Sequence, residues 1–181
     1  MPAIPYRTVF DDTSGPVAAV LRVRRDGRLL NLDRMLLHSP AIAEGWSALM
    51  GPIRNAGRIS ARHRELAICA VTFMNQADYE SHRHAALLIA AGGSQAQVAA
   101  LGDVGSACMD TTLFDDAERA VLALALDSTR DVAIRPATMA AVRTAFPTPD
   151  AVLELMMVIA AYNMVSRVLV GLDVEIEGSE E

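Results

Sequence analysis

The 181-residue sequence contains no lysine, because all sixteen of its cationic side chains are arginine. Mechanisms that need a primary amine are therefore excluded, namely Schiff-base aldol chemistry, pyridoxal catalysis and the phosphate-binding lysine of the Walker motif. Positive charge is also in the minority, since 22 aspartates and glutamates bring the formal net charge to -6. This balance disfavours nucleic acid and anionic membranes as partners, because both require a dense cationic face.

Cysteine is nearly as scarce, since the sequence contains only two cysteines, Cys69 and Cys108. They cannot form a CxxC motif, and two are too few for a thiolate-rich zinc site or a disulfide-stapled secreted domain. Residues 1–12 carry prolines, an arginine and two aspartates where a signal peptide would have an apolar core. We therefore expect a cytoplasmic protein.

One apolar run, residues 151–172, is long enough to suggest a membrane span of roughly 20 residues. Polar and charged side chains interrupt it at Glu154, Asn163, Ser166 and Arg167. A charged side chain near the middle of a bilayer costs roughly 3 kcal/mol. We therefore expect no membrane contact and a helix buried inside the protein or between subunits.

Apolar residues recur at helical spacing through most of the chain, which predicts an all-α fold, a helical bundle. The predicted starts of its helices are marked by caps at Ser60, Asp78, Ser94, Asp115 and Thr148 and by Pro136 in a first turn. We expect a single domain over residues 29–181, preceded by an irregular arm at residues 1–28. The helices at 66–74 and 152–170 are apolar on most sides, so subunit contacts should cover part of them, and a homo-oligomer is expected.

Ionisable residues cluster inside the apolar region between residues 62 and 84. Glu80 and His84 are four residues apart on one predicted helix, so their side chains can meet, whereas His82 points to nearly the opposite side. A carboxylate beside an imidazole is a minimal device for moving a proton at neutral pH. If Glu80 is shielded from water, burial should raise its pKa. Taken alone, such a pair is also common on helix surfaces.

The surrounding pattern resembles the carboxymuconolactone decarboxylase family, which includes the alkylhydroperoxidase D branch. The resemblance rests on the runs Arg64-Glu65-Leu66, Tyr79-Glu80 with His84, and Ala90-Ala91-Gly92 with Ser94, together with the last helix containing Tyr162-Asn163-Met164. The redox branch of that family spaces a glutamate, two cysteines and a histidine in the same way as Glu65, Ala77, Glu80 and His84 are spaced here. This chain therefore resembles longer members that lack the cysteine pair.

The resemblance implies a carboxy-lyase that needs no metal or other cofactor and acts on a small carboxylated lactone or a related acid. His84 would be the acid, Glu80 the group that orients or recharges it, and Glu65 a relay carboxylate. Arg167 would bind the carboxylate of the substrate. Tyr79, Tyr162 and Asn163 are further candidates for contacts with the charge that develops on the substrate oxygen.

Alternatives remain open at this point. Arg167 could instead form a structural ion pair with Glu65 or Glu154. Cys69 could serve as the lone thiol of a peroxidase-like protein if it were exposed and its pKa depressed. The oligomer could also bind a small acid without turning it over.

Overall fold

The computed structural model describes residues 1–8, 15–55 and 57–178, and it contains no β-strand within these ranges. In chain order, the helices are α1 (Gly15–Arg24), α2 (Asn31–Leu36), α3 (Pro40–Asn55), α4 (Ala61–Met74), α5 (Asp78–Ala90), α6 (Gln95–Ala100), α7 (Val104–Ala107), α8 (Asp116–Arg130), α9 (Pro136–Ala145) and α10 (Pro149–Gly171). A short 3-10 helix, Leu101–Asp103, joins α6 to α7. The predicted all-α fold is confirmed.

Side-chain caps set the start of several helices where the sequence predicts them. Ser60 accepts a hydrogen bond from the backbone N–H of His63 at the start of α4. Ser94 and Gln97 exchange backbone hydrogen bonds at the start of α6, and Asp115 and Glu118 do the same at α8. Because these bonds join residues three apart, the local sequence suffices to predict them.

Two local predictions differ from the structure. The first 28 residues contain helix α1, although an irregular arm is expected there. Asp78 is the first residue of α5, and the capping position belongs to Ala77, which offers no side-chain hydrogen bond. The end of α5 agrees with the prediction, since Gly92 has a left-handed backbone (φ +98) that favours glycine.

The chain folds into two compact units, residues 1–52 with 168–181 and residues 53–167. In the first unit, Asn31 binds the C-terminal segment through its backbone N–H to Glu177 (2.8 Å) and its side chain to the Glu175 carbonyl (3.0 Å). In the second unit, α4 packs against α5 and α8, and α8 packs against α9. The limits predicted for the arm and the domain, at residues 28 and 29, stay a prediction.

Helix α10 is 23 residues long and apolar enough to cross a membrane by length and composition alone. Half of its most apolar window is buried within the protein. Its buried side chains include Leu155, Ile159, Tyr162 and Val165. Such burial is expected of a core helix, in line with the sequence-based prediction.

Candidate active site

Three helices of the second unit bring ionisable side chains together in its interior. Glu65 comes from α4, Glu80 and His84 from α5, and Tyr162 from α10. All four are nearly inaccessible to solvent, with exposed fractions of 6%, 3%, 5% and 0%. Buried groups of this kind need hydrogen-bond partners, and here they provide them for one another.

The imidazole of His84 lies between the two carboxylates. Its Nδ1 is 2.6 Å from an oxygen of Glu65, and its Nε2 is 2.9 Å from an oxygen of Glu80. The Tyr162 hydroxyl lies 3.2 Å from the same Nε2, and the two rings meet edge to face with centroids 5.0 Å apart. The contact between Glu80 and His84 is the one that their spacing along the helix predicts. The prediction of a role for Glu65 rests on the family resemblance, and the structure places it on the opposite ring nitrogen.

Charge pairing governs the protonation of this cluster. Burial alone would lower the pKa of His84, but hydrogen bonds to Glu65 and Glu80, together with their charges, raise it above the ordinary histidine value. Burial alone would raise the pKa of Glu80, but the hydrogen bond and charge of His84, helped by Arg54 and Arg83, lower it. The expected upward shift of Glu80 is therefore wrong, because an opposite charge in contact outweighs desolvation. Together these shifts favour an imidazolium at His84 paired with an ionised Glu80.

Arg54, near the end of α3, belongs to this cluster although sequence analysis does not identify it. Its Nε donates a hydrogen bond to the Tyr162 hydroxyl (3.1 Å), and its guanidinium carbon lies 5.9 Å from the centre of the tyrosine ring. Burial raises the pKa of Tyr162 to about 12 despite the nearby Arg54, so the hydroxyl keeps its proton. A basic residue in the last turn of a helix is common, and nothing local in the sequence distinguishes Arg54.

Arg167 and Asn163 form contacts in a separate polar group. Arg167 donates to the backbone carbonyl and the side-chain oxygen of Asn163, both at 2.9 Å. Asn163 also accepts a hydrogen bond from Asn75 (3.0 Å) and donates one to Thr129 (3.0 Å). The remaining predicted site residue, Tyr79, is buried immediately before Glu80.

The alternative of an ion pair between Arg167 and Glu65 or Glu154 is wrong for the described residues. Glu65 is bound to Arg64 (3.3 Å) as well as to His84. Glu154 accepts hydrogen bonds from the backbone N–H groups of Arg58 and Ile59. Both carboxylates therefore already have other partners.

The two cysteines are poorly suited to thiolate chemistry. Cys69 is fully buried, and burial together with the charge of Glu65 raises its pKa to about 12. Cys108 is half-buried, and burial raises its pKa to about 11. Since the thiolate is the nucleophile, the raised pKa values disfavour the reactive form of both cysteines at neutral pH.

Two cavities lie elsewhere in the second unit. One of about 570 Å³ lies between α8 and α9 and is lined largely by alanines, including Ala120 and Ala141. The other, of about 330 Å³, lies at the ends of α4 and α8 beside Asn75 and Thr129. Neither is lined by the carboxylates or the imidazole of the buried cluster. Among the described residues, no group of three or more histidine, cysteine, aspartate or glutamate side chains is arranged to hold a metal ion.

Several solved structures have a fold similar to that of this chain, and they are described as proteins of different functions. An uncharacterized peroxidase-related protein from Silicibacter sp. TM1040 is 16% identical, with a TM-score of 0.79, covering 98% of this chain and 92% of that chain. A second peroxidase-related protein, described as an alkylhydroperoxidase AhpD core from Ralstonia eutropha JMP134, is 17% identical, with a TM-score of 0.76 and coverage of 98% and 93%. At these identities the similarity shows a shared fold.

A third structure of the same fold is the debrominase Bmp8, determined as a cysteine-to-alanine variant in complex with 2,3,4-tribromopyrrole. It is 17% identical, with a TM-score of 0.79 and coverage of 98% of this chain and 94% of that chain. No curated protein matches the chain. Residues 40–127 match the model of the Carboxymuconolactone decarboxylase family. Residues 40–127 are therefore similar to this family, and the matching segment includes Glu65, Glu80 and His84.

Proposed function

We propose that this chain is a cofactor-independent decarboxylase, or a related lyase, that acts on a small carboxylated lactone such as carboxymuconolactone. The observation that carries the proposal is the buried imidazole of His84 between two carboxylates, at 2.6 and 2.9 Å. A carboxylate on each ring nitrogen favours the imidazolium, which is an acid suited to neutral pH. The family match over residues 40–127 supports this class of chemistry.

The reaction itself needs an acid and a stabilised oxyanion. The bond between the lactone ring and its carboxylate breaks, CO2 leaves, and the electron pair passes through the ring double bond onto the lactone carbonyl oxygen. The resulting dienolate then takes a proton on carbon from the imidazolium of His84. The neutral imidazole regains a proton from water, with Glu80 as the group that hands it on. No electron acceptor is required, and the only co-reactant is the proton.

The other residues of the cluster have supporting roles in this proposal. Glu65 fixes the ring of His84 through Nδ1. Tyr162 keeps its proton and is therefore able to donate a hydrogen bond to the developing oxyanion, and Tyr79 and Asn163 are secondary candidates for that contact. Arg167, the carboxylate-binding residue that the sequence suggests, contacts Asn163 and, among the described residues, no member of the cluster around His84. Arg54 and Arg64 are half-buried and contact Tyr162 and Glu65 of that cluster, so we assign the attraction of the substrate carboxylate to them instead.

The experiment is a turnover assay of purified protein with carboxymuconolactone, following CO2 release. His84→Ala should lower kcat by roughly 10²-fold or more, the range that a positioned acid contributes. His82→Ala is the matched control, because His82 is an exposed histidine on the same helix and should leave kcat unchanged. Equal activity of the wild type and the folded His84→Ala variant would remove His84 from the mechanism.

The two alternatives predict different outcomes in the same assay. A lone-cysteine peroxidase would consume hydroperoxide and lose that activity when Cys69→Ser and Cys108→Ser are combined. The buried thiol of Cys69 argues against this alternative. A non-catalytic acid-binding protein would bind the lactone without releasing CO2.

A further inference from the structure

Two groups compete for the same nitrogen of His84. The Glu80 oxygen lies 2.9 Å from Nε2, and the Tyr162 hydroxyl lies 3.2 Å from it. When Nε2 carries a proton, it donates to the Glu80 carboxylate. When Nε2 has lost its proton, it can only accept a hydrogen bond, and an ionised Glu80 has no proton to give. The Tyr162 hydroxyl is then the neighbour that can satisfy it.

Arg54 determines which way that hydroxyl points. A guanidinium only donates hydrogen bonds, so the Tyr162 oxygen must accept at 3.1 Å from Arg54 Nε. With that side of the oxygen occupied, the hydroxyl proton is directed away from Arg54 and is available to Nε2. The ring of Tyr162, on α10, is fully buried, which fixes the position of its hydroxyl oxygen beside Nε2.

We propose that Arg54 and Tyr162 are a positioning pair that stabilises the neutral form of His84, in opposition to the two carboxylates. The groups that face His84 are Glu65 from α4, Glu80 from α5 and Tyr162 from α10, with Arg54 of α3 acting through Tyr162. Arg64 and Arg83 add positive charge beside Glu65 and Glu80, respectively.

The consequence for turnover rests on the proposed function. Two carboxylates alone would bind the proton of His84 so strongly that its transfer to carbon would become unfavourable. A hydrogen bond that forms only with the neutral ring lowers the free energy of the state reached after transfer. Arg54 and Tyr162 thereby make His84 a usable acid.

The test is an NMR titration of the His84 ring nitrogens in the substrate-free protein. Tyr162→Phe keeps the ring in the core and removes only the hydroxyl, and it should raise the titration midpoint of His84 by roughly 0.5 to 1 pH unit, as expected for one hydrogen bond. Arg54→Gln should raise it in the same direction. The double variant should shift the midpoint by less than the sum of the two single changes, because the two residues share the effect of one hydroxyl.

Arg83→Gln is the matched control. It removes the same charge from the neighbourhood of Glu80, but Arg83 is exposed, so its effect is screened and should be less than half that of Arg54→Gln. An unchanged or lowered midpoint in Tyr162→Phe would overturn the proposal. Equal shifts in Arg54→Gln and Arg83→Gln would also overturn it, because they would show that Arg54 affects the pKa of His84 only through its charge. Because no substrate is present, these shifts are expected even if the lactone proves not to be decarboxylated.

Discussion

The hydrogen bonds and charges of its two carboxylate neighbours favour the doubly protonated form of His84 and raise its pKa above the ordinary value. The pair with Glu80 is local, since i and i+4 side chains meet on any helix, and the sequence predicts it. The contact between Arg54 and Tyr162 joins residues 108 apart in the chain, and only the packing of α10 brings them together. The sequence therefore predicts the contact between Glu80 and His84, whereas the contact of Arg54 with Tyr162 is found only from the structure.

The pH dependence of activity follows from the raised pKa of His84. The protonated form is the acid in the proposed reaction, so kcat should fall as pH rises through the folded-state pKa of His84, which lies above the ordinary value of 6.5. A kcat profile measured from pH 6 to 10 checks this. A profile that rises with pH across the same interval would show that His84 acts as a base.

The same two groups make stability depend on pH in opposite directions. The raised pKa of His84 contributes stability that is complete below 6.5 and is lost as pH rises through its folded value. The lowered pKa of Glu80 contributes stability that is present above 4.5 and is lost as pH falls through its folded value. The pairing of His84 with Glu80 therefore contributes most to stability between pH 4.5 and pH 6.5.

At the scale of the helices, hydrogen bonds of short sequence range were the predictable part of the structure. The capping boxes at Ser94 and Asp115 and the cap at Ser60 all join residues three apart. The misassigned helix α1 shows the limit of such rules. The first turn of α1 has no acidic residue that would mark the start of a helix. The two arginines in its last turn interact favourably with the helix dipole, but such residues are also typical of a solvated surface.

The cap of α4 should contribute to stability because that helix carries Glu65. Ser60→Ala removes the acceptor for the N–H of His63 and should reduce the free energy of unfolding by about 1 kcal/mol. Chemical denaturation measures the change. Ser60→Asp is the control, since aspartate also caps helices and should retain most of the stability. Equal losses in the two variants would mean that the hydroxyl does not act as a cap.

At the scale of the whole molecule, α10 combines a buried side with apolar side chains that face solvent. Leu153 and Met157, one turn apart, are 62% and 37% exposed, although the helix also carries the fully buried Tyr162. Exposed apolar residues in a row on one helix favour contact with another protein surface. The sequence predicts a homo-oligomer from the apolarity of this helix, and subunit contact along this stripe remains our proposal, as does the cytoplasmic location.

Light scattering coupled to size exclusion tests that proposal. The wild-type chain should run as an oligomer, and Leu153→Arg should shift it toward a smaller species, because a buried unpaired charge opposes association. Met109→Arg is the matched control, since Met109 is 79% exposed in a different part of the chain. A monomeric wild type, or identical behaviour of both variants, would contradict the proposal.

The central claim is that a buried imidazolium delivers the proton that replaces CO2, and decarboxylation in D2O tests it most directly. A proton held at a fixed position by Glu65 and Glu80 reaches the dienolate from one side only. The account predicts one deuterium per product molecule, on a single face of the ring carbon that was protonated. Deuterium spread equally over both faces would show that water, and not His84, supplies the proton.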